Sequence, residues 1–160
     1  MMTVVRRFLV LMALLFWQGG FTFYGAVVVE VGSSVLGSHL DQGMVTRSVT
    51  NYLNLAGVVA LAICACDIAG SSDPDVRRRW LRWGLWLLVA VTLALLAWLH
   101  VRLDELIDVT SPRIVDRSLF RERHRWYLSI STVQWAASLI WIFVTLLAWR
   151  SEDRRQKAAG

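Results

Sequence analysis

Residues 8–29 read FLVLMALLFWQGGFTFYGAVVV, 22 positions without one charged side chain. A helix crosses the hydrocarbon core of a bilayer with about 20 apolar residues, so this run reads as a membrane span. Three more chargeless runs follow, at 49–66, 83–99 and 126–149. Hydrophobic residues make up 56% of the chain, against about 45–50% in a soluble domain, and the excess is confined to the four runs. Inside lipid each span must satisfy its own backbone polar groups, which a helix does. The expected fold is therefore all-α, a multi-pass membrane four-helix bundle forming a single domain over 1–160, with 150–160 a polar, frayed tail.

The connections carry the charge. Residues 1–7 form a short cap with Arg6 and Arg7. Arg-Arg before an apolar run also resembles a secretory or twin-arginine signal, but this run exceeds the roughly 7–15 residues of a signal core and no A-x-A site closes it. It is read as a retained first helix. Residues 32–48 turn polar and predict a loop, with a helical start near Val45. Asn51 and Asn54 open the second span and Asp67 ends it. Asp73-Pro74 suits the start of a helix, and Arg77, Arg78, Arg79 and Arg82 precede the third span. Trp80 and Trp83 at one end of that span and Trp98 at the other match the preference of tryptophan for the headgroup level. Residues 100–125 form the longest connection, with a break expected at Thr110-Ser111-Pro112 followed by a new helix start. Cys64 and Cys66 stand two apart, a spacing that does not face both thiols the same way on a helix, and read as small packing residues.

Four spans place both termini on one side, together with the 67–82 turn. That side holds ten of the 17 Lys and Arg residues and nets +5, while the other nets zero. Positive charge marks the cytoplasmic face, so both termini are expected inside a cell membrane. Arg121, Arg123 and Arg125, at the outer foot of the fourth span, run against that rule. The same distribution explains the basic balance without nucleic acid as a partner.

The polar residues near the spans converge on the outer side. Glu30 closes the first span, Asn51 and Asn54 open the second, His100 and Asp104 close the third, and His124 opens the fourth; His39 lies in the outer loop. His100 and Asp104 are four apart and share a helix face, which lets a carboxylate orient or pair with an imidazole. His124, Tyr127, Ser131, Gln134 and Ser138 follow steps of three and four and form a stripe that should face other helices, because polar groups in hydrocarbon need partners. Two readings stand beside each other. In one, Glu30, Asn51, Asn54, His100, Asp104, His124, Tyr127 and Gln134 line a site for a small ligand, a proton or a metal. In the other they are glue between helices, at about 0.6 kcal/mol per contact, with Glu30 paired to Arg121 or Arg125. A metal would draw on His100, His124 and Glu30, with Asp104 beside them, since mixed nitrogen and oxygen ligands suit zinc or copper. A haem would need His100 and His124 facing each other across the bundle. No nucleophile motif, phosphate loop or nucleotide fingerprint is present. Gly19-Gly20 reads as a notch for close helix packing.

Several short patterns are shared with a known group. They are Phe16-Trp17-x-Gly19-Gly20-x-x-Phe23-Tyr24, Tyr52-Leu53-Asn54, Leu99-His100 and Phe120-x-x-x-His124-x-x-Tyr127. Together they resemble the small four-helix membrane proteins of unknown function typified by transmembrane protein 205. That resemblance spans nearly the whole chain and implies a four-helix bundle with an aromatic-histidine signature on the last helix. Eukaryotic members of that group are associated with metal-drug resistance. The first span of that group usually ends with a proline, where this chain reads Val29-Glu30-Val31.

The leading expectation is a non-enzymatic membrane protein that binds a small ligand, proton or metal through the outer polar cluster. The alternative is an auxiliary or assembly subunit, meeting a membrane-protein partner or a second copy of itself through small residues near Gly19 and Gly20. An integral-membrane enzyme, with Glu30 moving a proton beside His100 or His124, is the third.

Overall fold

The computed structural model describes residues 2–108 and 113–159. The chain is an all-helical, four-helix bundle of α1 (Met2–Leu36), α2 (His39–Ala69), α3 (Val76–Asp104) and α4 (Arg117–Ala159). Before α4, β1 (Ile107–Asp108) pairs antiparallel with β2 (Arg113–Ile114) in a minimal ribbon. The break expected at Thr110-Ser111-Pro112 lies outside the described residues.

All four helices are long and apolar enough to cross a membrane, and 22–39% of each apolar window is buried within the bundle. The remaining apolar surface, including Phe8, Phe16, Leu55, Val91 and Phe143, faces outward. In water such a surface would be a large exposed patch; in a bilayer it meets acyl chains.

The helices run well past the apolar segments, and this corrects two expectations. Residues 32–48 are not a loop. Gly37, alone among the described residues, adopts the left-handed conformation, at φ 63°, which stops α1 in the manner of a glycine C-cap. Ser38 then caps α2, its Oγ accepting from the Asp41 N–H at 3.2 Å. Glycine and serine before that point remain helical, and the Ser34 hydroxyl donates back to the Val31 carbonyl at 2.8 Å. In line with a helix start after Thr110-Ser111-Pro112, α4 begins at Arg117, well before the apolar run, because Asp116 accepts from the N–H groups of Ser118 and Leu119 at 2.9 and 3.0 Å. At its other end α4 continues helical to Ala159, so residues 150–159 are no frayed tail. Asp75, next to Pro74, caps α3 by accepting from the Arg77 and Arg78 N–H groups.

One side-chain stripe of each helix builds the core. Val10, Leu14 and Trp17 of α1 meet Ala60, Leu61, Cys64 and Ile68 of α2, Val89 and Leu93 of α3, and Ala137, Trp141 and Trp149 of α4. Steps of three and four place each set on one helix face. Two glycines sit at close helix contacts: a Cβ on Gly32 of α1 would collide with the Gln42 side chain of α2, and a Cβ on Gly57 would lie 2.8–2.9 Å from the Trp17 ring. Neither contact involves the Gly19-Gly20 notch. A Cβ on Gly19 would meet nothing within 4 Å, and one on Gly20 would make ordinary contact with Leu53 at 3.6 Å. Both glycines instead border a π-helical turn at Leu15–Gly19, one of two in α1; the other covers Tyr24–Val28.

Candidate functional site

Polar side chains gather at both ends of the bundle, and the two ends differ in kind. At the end formed by the Gly37-Ser38 turn and the ribbon, His100 is buried one turn before half-buried Asp104, with Nε2 3.7 Å from Oδ2. The closer partner of that carboxylate is Arg47 of α2, at 2.8 Å. The His100 Nε2 has no hydrogen-bond partner among the described residues. Nearby, buried Gln42 donates to the Tyr24 hydroxyl at 3.3 Å, and that hydroxyl donates to Thr46 at 3.0 Å, which joins α1 to α2. Tyr127 is half-buried and its hydroxyl meets Thr50.

The other expected members of this cluster disperse. Glu30 lies within α1 and is exposed, as are Asn51 and His124, while Asn54 is half-buried. No ion pair joins Glu30 to Arg121 or Arg125 among the described residues. The His124 ring stacks on Phe120 of its own helix, with centroids 5.9 Å apart, rather than turning inward to His100. Gln134 is buried deeper in the bundle. Among the described residues no three His, Cys, Asp or Glu side chains converge to hold a metal ion. The expected His100, His124 and Glu30 set does not assemble, because helical rotation turns Glu30 and His124 outward while His100 points inward.

The stripe on α4 does face inward. Ser131, Gln134 and Ser138 are buried. The hydroxyls of Ser131 and Ser138 donate to the carbonyls four residues back, and Gln18 of α1 donates to Ser138 at 3.1 Å. Trp135 donates across the same seam to Thr22 at 3.1 Å.

The denser assembly sits at the opposite end, where both chain termini and the 70–75 turn meet. Asp67 and Arg82 are each fully buried, with Nη2 2.5 Å from Oδ2. The same carboxylate takes Arg6 Nε at 2.9 Å and the Trp149 indole N–H at 3.3 Å. Arg82 Nε donates to Thr145 at 3.2 Å, and its guanidinium lies 5.7 Å from the centroid of the Trp141 ring. Glu152, buried in what reads as a tail, binds Arg6 at 2.9 Å and Arg7 at 3.1 Å through one oxygen. Its other oxygen accepts from the Ser71 hydroxyl and the Ser72 N–H, both at 2.7 Å. Arg7 also pairs with Asp153 and donates to the Trp149 carbonyl, and Arg6 donates to the Gly70 carbonyl. Three arginines and three carboxylates from all four helices thus neutralise one another.

Sequence reasoning missed this clasp. Asp67 and Arg82 border apolar runs and read as ordinary span-flanking charges. One signal was present: the α4 stripe continues in the same register from Ser138 through Thr145 to Glu152. The chain matches no family model, no curated protein and no solved structure.

Proposed function

We propose that this is a non-enzymatic, multi-pass membrane protein acting as an auxiliary or assembly subunit, its buried charges paired to hold its own helices together. The observation that carries this reading is the destination of the buried charges. Asp67, Arg82 and Glu152 bind one another's neighbours within the chain, and a buried charge matched in this way is not free to bind a ligand. The small space among Leu14, Trp17, Trp86 and Trp141 is about 10 Å³, room for about one water at most. Outside, exposed Gly19 and Gly25 leave space for a neighbouring helix to approach. Short side chains permit such contact in lipid. The resemblance to the transmembrane protein 205 group implies the same bundle. The excess of positive charge at the end where the termini meet supports a cytoplasmic position for both in a cell membrane.

Crosslinking in native membranes followed by mild-detergent electrophoresis tests the reading. A discrete species above monomer mass, lost when Gly19 and Gly25 are replaced by leucine, is the expected result. A folded protein found only as monomer overturns it. Fusion of a periplasm-dependent and a cytoplasm-dependent reporter to the C-terminus tests the orientation.

A second reading rests on the His100 imidazole, which keeps a buried, unbonded Nε2 beside Asp104 and Arg47. This arrangement suits a proton or small-ligand site. Under that reading, His100→Gln removes a transport or binding signal without loss of the bundle.

A further inference from the structure

The first two turns of α3 hold arginines of two kinds. Arg82 points inward to Asp67, and Arg78 pairs with Asp73. Arg77 and Arg79 are exposed and have no carboxylate partner among the described residues. The N–H groups at this helix start are already taken by Asp75, so the free positive charge here belongs to side chains.

Arg79 borders an open groove of about 410 Å³ on the outside of the bundle, lined also by Trp80, Trp83, Trp86 and Leu87. Steps of three and four put these residues on neighbouring strips of one helix surface. The groove is built rather than incidental. Trp83 meets Trp86 edge to face at 5.6 Å, and the Trp86 indole donates to the Leu61 carbonyl at 2.9 Å, which fixes the inner wall. Trp80 forms the outer lip and is 71% exposed. Gly84 follows Trp80 by one turn on the same helix surface, is exposed, and a Cβ there would meet nothing within 4 Å, so the helix surface beside the groove is open.

The groove starts where the apolar run 83–99 begins, at the level where tryptophan marks the headgroup boundary. Its polar end is cationic and its other end apolar. We propose that this groove binds an anionic phospholipid of the surrounding leaflet, with the phosphate on Arg79 and one acyl chain laid across Gly84 between Trp80 and Leu87. An arginine fork matches phosphate oxygens, and a neighbouring anionic headgroup neutralises Arg79, which has no carboxylate partner among the described residues.

Native mass spectrometry of the full chain tests this by titration with phosphatidylglycerol and with phosphatidylcholine of the same acyl chains. The wild type should retain one phosphatidylglycerol in preference to phosphatidylcholine. Arg79→Gln should weaken phosphatidylglycerol roughly fivefold, the effect of one cation near an anionic lipid surface. Gly84→Leu, which puts bulk on the open helix surface beside the groove without changing charge, should weaken both lipids. Arg77→Gln, outside the groove, should change binding less than twofold. Equal retention of the two lipids overturns the proposal. So does a loss in Arg77→Gln equal to that in Arg79→Gln, which is non-specific attraction to surface charge. An unchanged Gly84→Leu also overturns it, and leaves the groove to an acidic protein segment. Arg79 and Gly84 support no internal contact, so melting temperatures equal to wild type accompany either outcome.

Discussion

Asp67 at the end of α2 and Arg82 near the start of α3 face each other with no exposure to solvent, Nη2 2.5 Å from Oδ2. Removing one member of such a pair strands the other charge, at about 3–5 kcal/mol, whereas replacing both with apolar residues of similar volume is often neutral or stabilising. Asp67→Leu and Arg82→Met alone should each lower the melting temperature sharply, and the double variant should recover most of the loss. Circular dichroism melting in detergent reads this cycle. Additive losses would mean that the two side chains are not coupled.

Ending the chain after Trp149 deletes Glu152 and Asp153, leaving Arg7, Ser71 and the Ser72 N–H without their carboxylate partners and Arg6 with Asp67 alone. Hydrogen bonds to charged groups contribute about 1.5–3 kcal/mol each. The truncated protein should therefore melt well below wild type, and Glu152→Gln should reproduce much of the drop. Limited proteolysis should show the N-terminal turn of α1 opening first. An unchanged melting curve would mean that the segment is dispensable.

Gly57 and Gly19 should respond to enlargement to very different degrees. A Cβ at Gly57 runs into the Trp17 ring, whereas one at Gly19 meets open space. Overpacking costs about 1–3 kcal/mol, so Gly57→Ala should destabilise by that order and Gly19→Ala by much less. Thermal melting of the two purified variants separates them, and equal effects would place the close contact elsewhere.

The Asp73 carboxyl is held below the ordinary aspartate range, chiefly by its hydrogen bond from Arg78, with burial opposing. A lowered value means that the pair stabilises the fold above the unfolded pKa of about 3.9 and loses that contribution as pH falls through the folded value. Asp73→Asn should be less stable than wild type at neutral pH, and the gap should close in acid below about pH 4. Melting of both proteins across that range checks it; a gap constant with pH would mean that the charge contributes nothing.

The half-exposed Arg47–Asp104 pair should matter far less than the clasp. Ion pairs in such settings contribute about 0–1 kcal/mol. Asp104→Asn should shift stability only slightly, while Asp67→Asn should shift it severely. Comparable losses would make the two ends energetic equals.

The fold class was legible because each span needs its own run of apolar residues, and the four runs are separated by charge. The ends of the helices were not. Residues 32–36, 39–48, 117–125 and 150–159 are polar yet helical, since a helix leaving the bilayer keeps its hydrogen bonds in water until a cap ends it, and here Gly37 and Asp116 set those limits.

The candidate site divided in the same way. His100 and Asp104 were readable as a pair because four residues fix their helix face. Whether Glu30 and His124 joined them depended on how α1 and α4 rotate about their axes, and both turned outward. The clasp lay further from view, because Asp67, Arg82, Arg6 and Glu152 come from four separate helices and look like flanking charges one at a time.

The sequence by itself determined four membrane-length helices and which end carries the excess of positive charge, because hydropathy, length and charge are properties of single segments. Only the tertiary structure decided which polar groups meet, because side-chain pairing depends on helix rotation and register, which no single segment specifies.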